Sequence, residues 1–150
     1  MKIDLETLAE RIKQCSRCEL RMSATQPVPG LGSPAATYFF LGEAPGHEED
    51  RYIAPFIGLA GKRLDKLIAL AKINPNECYF TNVCKCRPPK NREPRKAEIR
   101  ACYPWLLEEL KIIKPKYIVT LGRIPLGLFS QYGIKQLHGC MIEVEIGLGG

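Results

Sequence analysis

Ala36-Thr37-Tyr38-Phe39-Phe40-Leu41-Gly42-Glu43-Ala44-Pro45-Gly46 is the stretch that decides the fold. Its first half is apolar without alternation, the mark of a strand covered on both faces in a parallel sheet. Its second half is a tight Gly- and Pro-bearing loop at the carboxyl end of that strand, where α/β sheets collect their ligands. Downstream, a helix is predicted over about residues 60–72, with Leu64, Leu67, Ile68 and Ala71 spaced for burial and Asn74-Pro75 as its stop. A second strand follows at 77–83 and carries Asn82 near its end. Pro94 is expected to open the next helix in its first turn, with Ile99, Cys102, Leu106 and Leu110 inward and Pro104 kinking or splitting it. A third strand at 117–122 leads to a short helix through Leu126 and Phe129. Residues 141–146 alternate, Ile142, Val144 and Ile146 against Glu143 and Glu145, as a half-exposed edge strand would. Upstream, Asp4 is a plausible N-cap for a helix with Leu5, Leu8 and Ile12 on one face, and 25–34 is a Pro- and Gly-rich loop. The expected fold is α/β: a three-layer α/β/α sandwich around a central, mostly parallel four-stranded sheet.

At 150 residues, 45% hydrophobic and 25% charged, the chain has the make-up of one ordinary globular domain, residues 1–150. No apolar run reaches the length of a membrane span, and the first residues lack a signal-peptide core, so an intracellular protein without membrane contact is expected. Seven cysteines in a reducing compartment point to metal rather than disulfides. Cys15-x-x-Cys18 can aim two thiolates at one centre, and Cys86 and Cys102 are candidate partners from far along the chain. Soft thiolates select zinc or an iron–sulfur cluster, and spacing alone leaves both open. The formal net charge is +6, and residues 85–100 hold seven cations against two carboxylates. Such a segment suits a phosphate backbone or, more blandly, a solvated basic face.

Gly42-Glu43-Ala44-Pro45-Gly46, Pro55-Phe56-Ile57-Gly58, Thr81-Asn82 and Lys85-Cys86-Arg87-Pro88-Pro89-Lys90-Asn91-Arg92, with the four cysteines in order, resemble the family 4 uracil-DNA glycosylases, the iron–sulfur glycosylases of bacteria and archaea. The resemblance runs from the first helix to about Gly139. It implies hydrolysis of the N-glycosidic bond of deoxyuridine in single- or double-stranded DNA, starting base-excision repair from an everted base. It further implies a monomer in the prokaryotic cytoplasm, at the nucleoid. By resemblance, Phe56 stacks on the flipped uracil, though read alone it is an ordinary core residue. Asn82 can donate to O4 and accept from N3–H, which suits uracil and disfavours cytosine. Glu43 and Ala44 line the sugar and base side, and Glu49 crowds the place of a thymine methyl. Glu43, Glu49 and Asn82 form the implied catalytic set. Lys85, Arg87, Lys90, Asn91 and Arg92 are expected on DNA, with Asn91 among the substrate-binding residues. The cysteines would hold a [4Fe–4S] cluster. Cys86 carries the motif, so Cys84 is expected as buried packing, with Cys78 and Cys140 as spares.

The chain departs from the family pattern in two places. Ala44 stands where better-known relatives carry a water-activating Asp, as in family 4 generally. A closing His-Pro-x turn and final helix have no counterpart before Gly150, so a C-terminally truncated form is expected. The turn's His would donate to uracil O2, and His47 is the candidate substitute. The alternative that follows is a non-catalytic iron–sulfur DNA-binding module of the same fold.

Overall fold

The structure, a computed structural model, describes residues 3–146. Its frame is a four-stranded sheet, β1 (Leu31–Gly32), β2 (Tyr38–Gly42), β3 (Cys78–Asn82) and β4 (Tyr117–Thr120), in the order β1-β3-β2-β4. β2 pairs in parallel with both β3 and β4, while β1 runs antiparallel along β3. The unbroken apolar run is explained by this central position, since successive side chains of β2 enter opposite layers. Phe39 and Leu41 pack with Tyr79 beneath Leu106, Leu110 and Ile113 of α5 (Lys96–Ile113). Phe40 packs the other way, with Leu64 and Ile68 of α4 (Leu59–Leu70) and Cys78. The three-layer α/β/α arrangement of the sequence reading is present.

α1 (Leu5–Lys13) begins at Asp4, whose carboxylate accepts from the Thr7 amide at 2.8 Å, and packs on α5. Short helices complete the order: α2 (Leu20–Ser23), α3 (His47–Tyr52), α6 (Arg123–Gly127) and α7 (Ile134–Leu137). The β2 to β3 connection crosses on the α4 face and the β3 to β4 connection on the α5 face. The chain therefore leaves the adjacent carboxyl ends of β2 and β3 in opposite directions, and a crevice opens between them.

Several expectations are corrected. The fourth strand is β1, inside the segment read as loop. Two residues between prolines carry no strand periodicity, and only the ladder Leu31↔Phe80 and Gly32↔Tyr79 reveals it. Residues 141–146 form no strand, and Met141, Ile142 and Val144 are exposed. α5 starts two residues after Pro94, with Arg95 as N-cap, and passes through Pro104 unbroken. Pro104 lies on the solvent side, where water can take up the carbonyl its ring frees. Leu67 is exposed on α4, one position off the stripe that buries Leu64 and Ile68.

Candidate functional site

Gly42 and Asn82 are register partners at the carboxyl ends of β2 and β3, so the crevice opens between them. A pocket of about 310 Å³ lies there, and Glu43, Ala44, Glu49, Phe56, Arg63 and Asn82 are among its walls. That volume takes a small planar ligand. Period-two alternation puts the Asn82 side chain on the α4 face with Phe80, whose ring lies 6.0 Å from that of Phe56. Gly42 makes the arrangement possible. A Cβ there would stand 2.5 Å from Asn82 Oδ1 and 2.7 Å from Phe56 Cζ, so only a missing side chain lets amide and ring approach.

Phe56 is held in an unusual backbone conformation, φ 55°, which costs a non-glycine residue about 1–3 kcal/mol unless its surroundings impose it. Two features impose it. Gly61 lets α4 start against the Phe56 carbonyl, where a Cβ would come within 1.9 Å. Glu49, in the first turn of α3, accepts from the Gly46 amide at 3.1 Å, the Ile57 amide at 2.9 Å and the Gly58 amide at 2.5 Å. The Glu49 carboxylate is therefore engaged by backbone on both oxygens. It clamps the Phe56 loop to the Gly42–Gly46 loop, a positioning task, while Glu49 also lines the pocket.

Glu43 is half-buried. Burial pushes its carboxyl above the usual range, the charge of Glu93 adds to this, and Arg123 opposes it. Arg123, at the start of α6, pairs with Glu93, and both charges act on Glu43. His47 is exposed beside Glu48, 3.9 Å away, and His138 belongs to the apolar groove along β4; neither lines the pocket. Asn91 also lies outside, in a turn with φ 56°, accepting from Arg87 Nε at 2.7 Å.

The basic segment divides. Lys85 is 1% exposed, and its Nζ donates to Glu109 Oε1 at 2.5 Å, Thr81 Oγ1 at 2.7 Å and the Asn82 carbonyl at 2.7 Å. It cannot reach a DNA phosphate, and its expected place on DNA is corrected: an internal carboxylate captures the ammonium. Arg92 is committed to Glu98 by a bidentate pair at 2.8 and 2.9 Å, which holds the Glu98 carboxyl below its usual range. Lys90, Arg95, Lys96 and Arg100 are exposed and Arg87 is half-buried, none of them held by an internal carboxylate side chain among the described residues.

Cys15 and Cys18 follow α1, Cys86 follows β3, and Cys102 sits on α5; all four line one small recess. Trp105 Nε1 donates to Cys15 Sγ at 3.1 Å and the Lys85 amide to Cys102 Sγ at 3.2 Å, the N–H contacts that thiolate ligands accept. Burial pushes Cys86 up to about 12, whereas the Cys84 thiol and the Lys85 charge hold Cys102 near about 7. Cys84 is fully buried behind Cys102 and outside the recess. The donor set suits a thiolate-bound group. Among the described residues, no three His, Cys, Asp or Glu side chains stand close enough to share one metal ion.

Tyr79, Thr81 and Glu109, which complete the Lys85 network, were missed from sequence. Tyr79 Oη donates to Glu109 Oε2 at 2.6 Å, and burial with that carboxylate drives the phenol well above its usual range. A signal existed: Glu109 falls seven residues after Cys102 on the inward stripe of α5, where a carboxylate must find partners. Arg63, on α4 and lining the pocket, was missed as well.

Comparison with known proteins gives this geometry its kinship. Residues 29–145 match the family described as the uracil DNA glycosylase superfamily. The type-4 uracil-DNA glycosylase of Sulfurisphaera tokodaii is 47% identical over 120 residues, covering 79% of this chain and 54% of its own length. Those of Archaeoglobus fulgidus and Thermotoga maritima are each 42% identical, covering 94% and 93% of this chain and 74% of their own. The chain thus spans between about half and three-quarters of the length of these relatives. On these matches the chain belongs to the uracil-DNA glycosylase superfamily, and within it to the type-4 uracil-DNA glycosylases.

Proposed function

We propose that the chain binds an everted deoxyuridine of DNA in the β2/β3 crevice and hydrolyses its N-glycosidic bond. The observation that carries this is the meeting of the Phe56 ring and the Asn82 amide across Gly42 in one pocket of suitable volume. The ring offers a stacking face. The amide offers a donor for O4 and an acceptor for N3–H, the reverse of what cytosine presents. Glu43 and Ala44 form the sugar side of the pocket. In the reaction the C1′–N1 bond breaks with its electron pair going to uracil, and water adds to C1′ to leave an abasic sugar. Carboxylate charge from Glu43 and the DNA phosphates stabilises the cationic sugar. Glu49 contributes by fixing Phe56.

Cys15, Cys18, Cys86 and Cys102 are the residues we assign to a [4Fe–4S] cluster. Four thiols around one recess suit a thiolate-bound group, and the choice of a [4Fe–4S] cluster over zinc rests on the resemblance to the family 4 enzymes. The cluster would supply a structural tie between the end of α1, α5 and the loop bearing Arg87 and Lys90. Those two cations, with Arg63 at the pocket, are the DNA contacts we propose. Among the described residues no helix is long and apolar enough to cross a membrane. A monomer acting on DNA in a prokaryotic cytoplasm, at the nucleoid, is consistent with these features.

A second reading is a DNA-binding module of the same fold without turnover. It is favoured by two observations: among the described residues no histidine lines the pocket, and the Glu49 carboxylate accepts from backbone amides. The deciding experiment incubates the anaerobically purified chain with single-stranded and duplex oligonucleotides containing one deoxyuridine, and measures free uracil. Release that disappears in Asn82→Ala and Phe56→Ala supports the enzyme. Binding without release supports the module, and neither binding nor release overturns both. Brown colour with broad visible absorbance, lost in Cys102→Ser, supports the cluster; stoichiometric zinc with no iron overturns it. In the same binding assay, Lys90→Ala lowers the slope of log K against log salt by about 0.7–0.9. An unchanged slope would remove Lys90 from the interface.

A further inference from the structure

Lys85 spans the distance between the cysteine recess and the pocket. Its own amide donates to Cys102 Sγ at 3.2 Å, and its Nζ reaches back along the α5 face to the Asn82 carbonyl at 2.7 Å. The same ammonium donates to Thr81 Oγ1 and to Glu109 Oε1, and Glu109 also accepts from Tyr79 Oη and Thr81 Oγ1. Tyr79, Thr81, Asn82, Lys85 and Glu109 are each at most 5% exposed. Every polar side-chain atom buried among the described residues is satisfied. A buried ion pair is a poor source of net stability, because desolvation of both charges offsets their attraction. What such a network does well is fix geometry.

The geometry fixed here is that of Asn82. β3 ends at this residue; the Val83 and Cys84 amides beyond it still donate to the Gly42 and Glu43 carbonyls at 2.9 and 3.0 Å, while the Asn82 carbonyl turns to the Lys85 ammonium. The Asn82 side chain faces α4 while its carbonyl is gripped from the α5 side by Lys85. We propose that the buried Lys85–Glu109 pair is a positioning device for Asn82, the residue that reads the base. The proposal rests on Asn82 being that reader. The basic residue of the Lys-Cys-Arg-Pro-Pro run thereby acts inside the protein, with no DNA contact of its own.

The test compares four proteins as full chains: wild type, Asn82→Ala, Lys85→Met, and Lys85→Met with Glu109→Gln. The single Lys85 change strands a buried carboxylate and threatens folding. The double variant removes both charges, and its glutamine oxygen can still accept from Tyr79 and Thr81. Thermal melting checks the fold. The functional measurement is the affinity for a non-cleavable 2′-fluoro-deoxyuridine oligonucleotide relative to the same strand with 2′-fluoro-deoxycytidine. The expected result is that the double variant melts as a folded protein and binds the cytidine strand like wild type. Its preference for uracil falls about 10–100-fold, the cost of misplacing a recognition group by about an ångström. A double variant that keeps the preference while Asn82→Ala loses it overturns the positioning role. If Asn82→Ala keeps the preference too, the assignment of Asn82 as reader falls first, and this inference with it.

Discussion

Glu49 gives the sharpest test of how the pocket is built, because its two possible duties predict opposite outcomes for Glu49→Gln. A carboxylate serving chemistry alone could be replaced by the amide with little effect on structure. The structure instead gives it three backbone donors. Oε2 accepts from the Ile57 and Gly58 amides at 2.9 and 2.5 Å, and Oε1 from the Gly46 amide at 3.1 Å. In the glutamine variant the one remaining oxygen can serve Ile57 and Gly58, but the new NH₂ then faces the Gly46 N–H, donor against donor. The loss comprises the charge assistance of two bonds and one amide left without an acceptor. Hydrogen bonds to charged groups contribute about 1.5–3 kcal/mol each against about 0.5–1.5 for neutral ones, and Glu49 is partly solvated, so a local cost of about 2–3 kcal/mol is expected. Amide hydrogen exchange reads this directly, since the loop can open without global unfolding. Exchange at Ile57 and Gly58 should accelerate about 30–140-fold at the rate of about tenfold per 1.4 kcal/mol, with protection in β2 and β3 unchanged. Glu49→Ala should look similar. If Glu49→Gln leaves these amides protected as in wild type, the clamp is wrong and the carboxylate is free for another role.

Two further outcomes follow from the same geometry. Gly42→Ala drives a methyl into the space between Asn82 Oδ1 and the Phe56 ring; overpacking should cost about 1–3 kcal/mol in a urea melt and eliminate binding of a deoxyuridine oligonucleotide, and wild-type affinity in a folded variant refutes the pocket. Glu98 is held below its usual range by Arg92, so this pair contributes stability fully above the unfolded carboxyl value of about 4.3, and that contribution is lost as pH falls through the lower folded value. The gap in urea midpoint between wild type and Glu98→Gln should therefore be constant from neutral pH to about 5 and close in more acidic solution; a gap that persists under strongly acidic conditions contradicts the pair.

Much of this architecture could be read before any coordinates. The apolar run at 36–41 required a central parallel strand, and the helix periodicities on either side of it required two covering layers. Short elements escaped. A two-residue strand has no period to detect, and β1 exists only because β3 offers it an edge. The alternation of residues 141–146 promised a strand that the described chain does not pair, for periodicity reports a willingness to fill an edge and says nothing of whether the edge is reached. The pocket residues were recognisable by motif, and Glu43, Ala44, Phe56 and Asn82 do share one wall. The motif was silent on duty: Glu49 is conspicuous as an acid, and its bonds to the backbone amides of two loops could not be read from it.

Charge was the least trustworthy guide, and Lys85 shows why. A count along residues 85–100 treats every cation as available to a phosphate, yet availability depends on where the chain next finds a carboxylate. Glu109 lies 24 residues away, on the same face of α5 that covers β3, and it takes the ammonium before any partner can. Arg92 is drawn off similarly by Glu98, six residues on. Of the four cations expected on DNA, only Lys90 is exposed; Arg87 and Arg92 are half-buried, and Arg87 is bonded to Asn91 instead of a carboxylate. The captive cations brace the strand end and the helix start. Arg87 and Lys90, which meet no such carboxylate, are the ones left for the proposed DNA contact, so the carboxylates facing the segment decide which of its cations stay inside the protein.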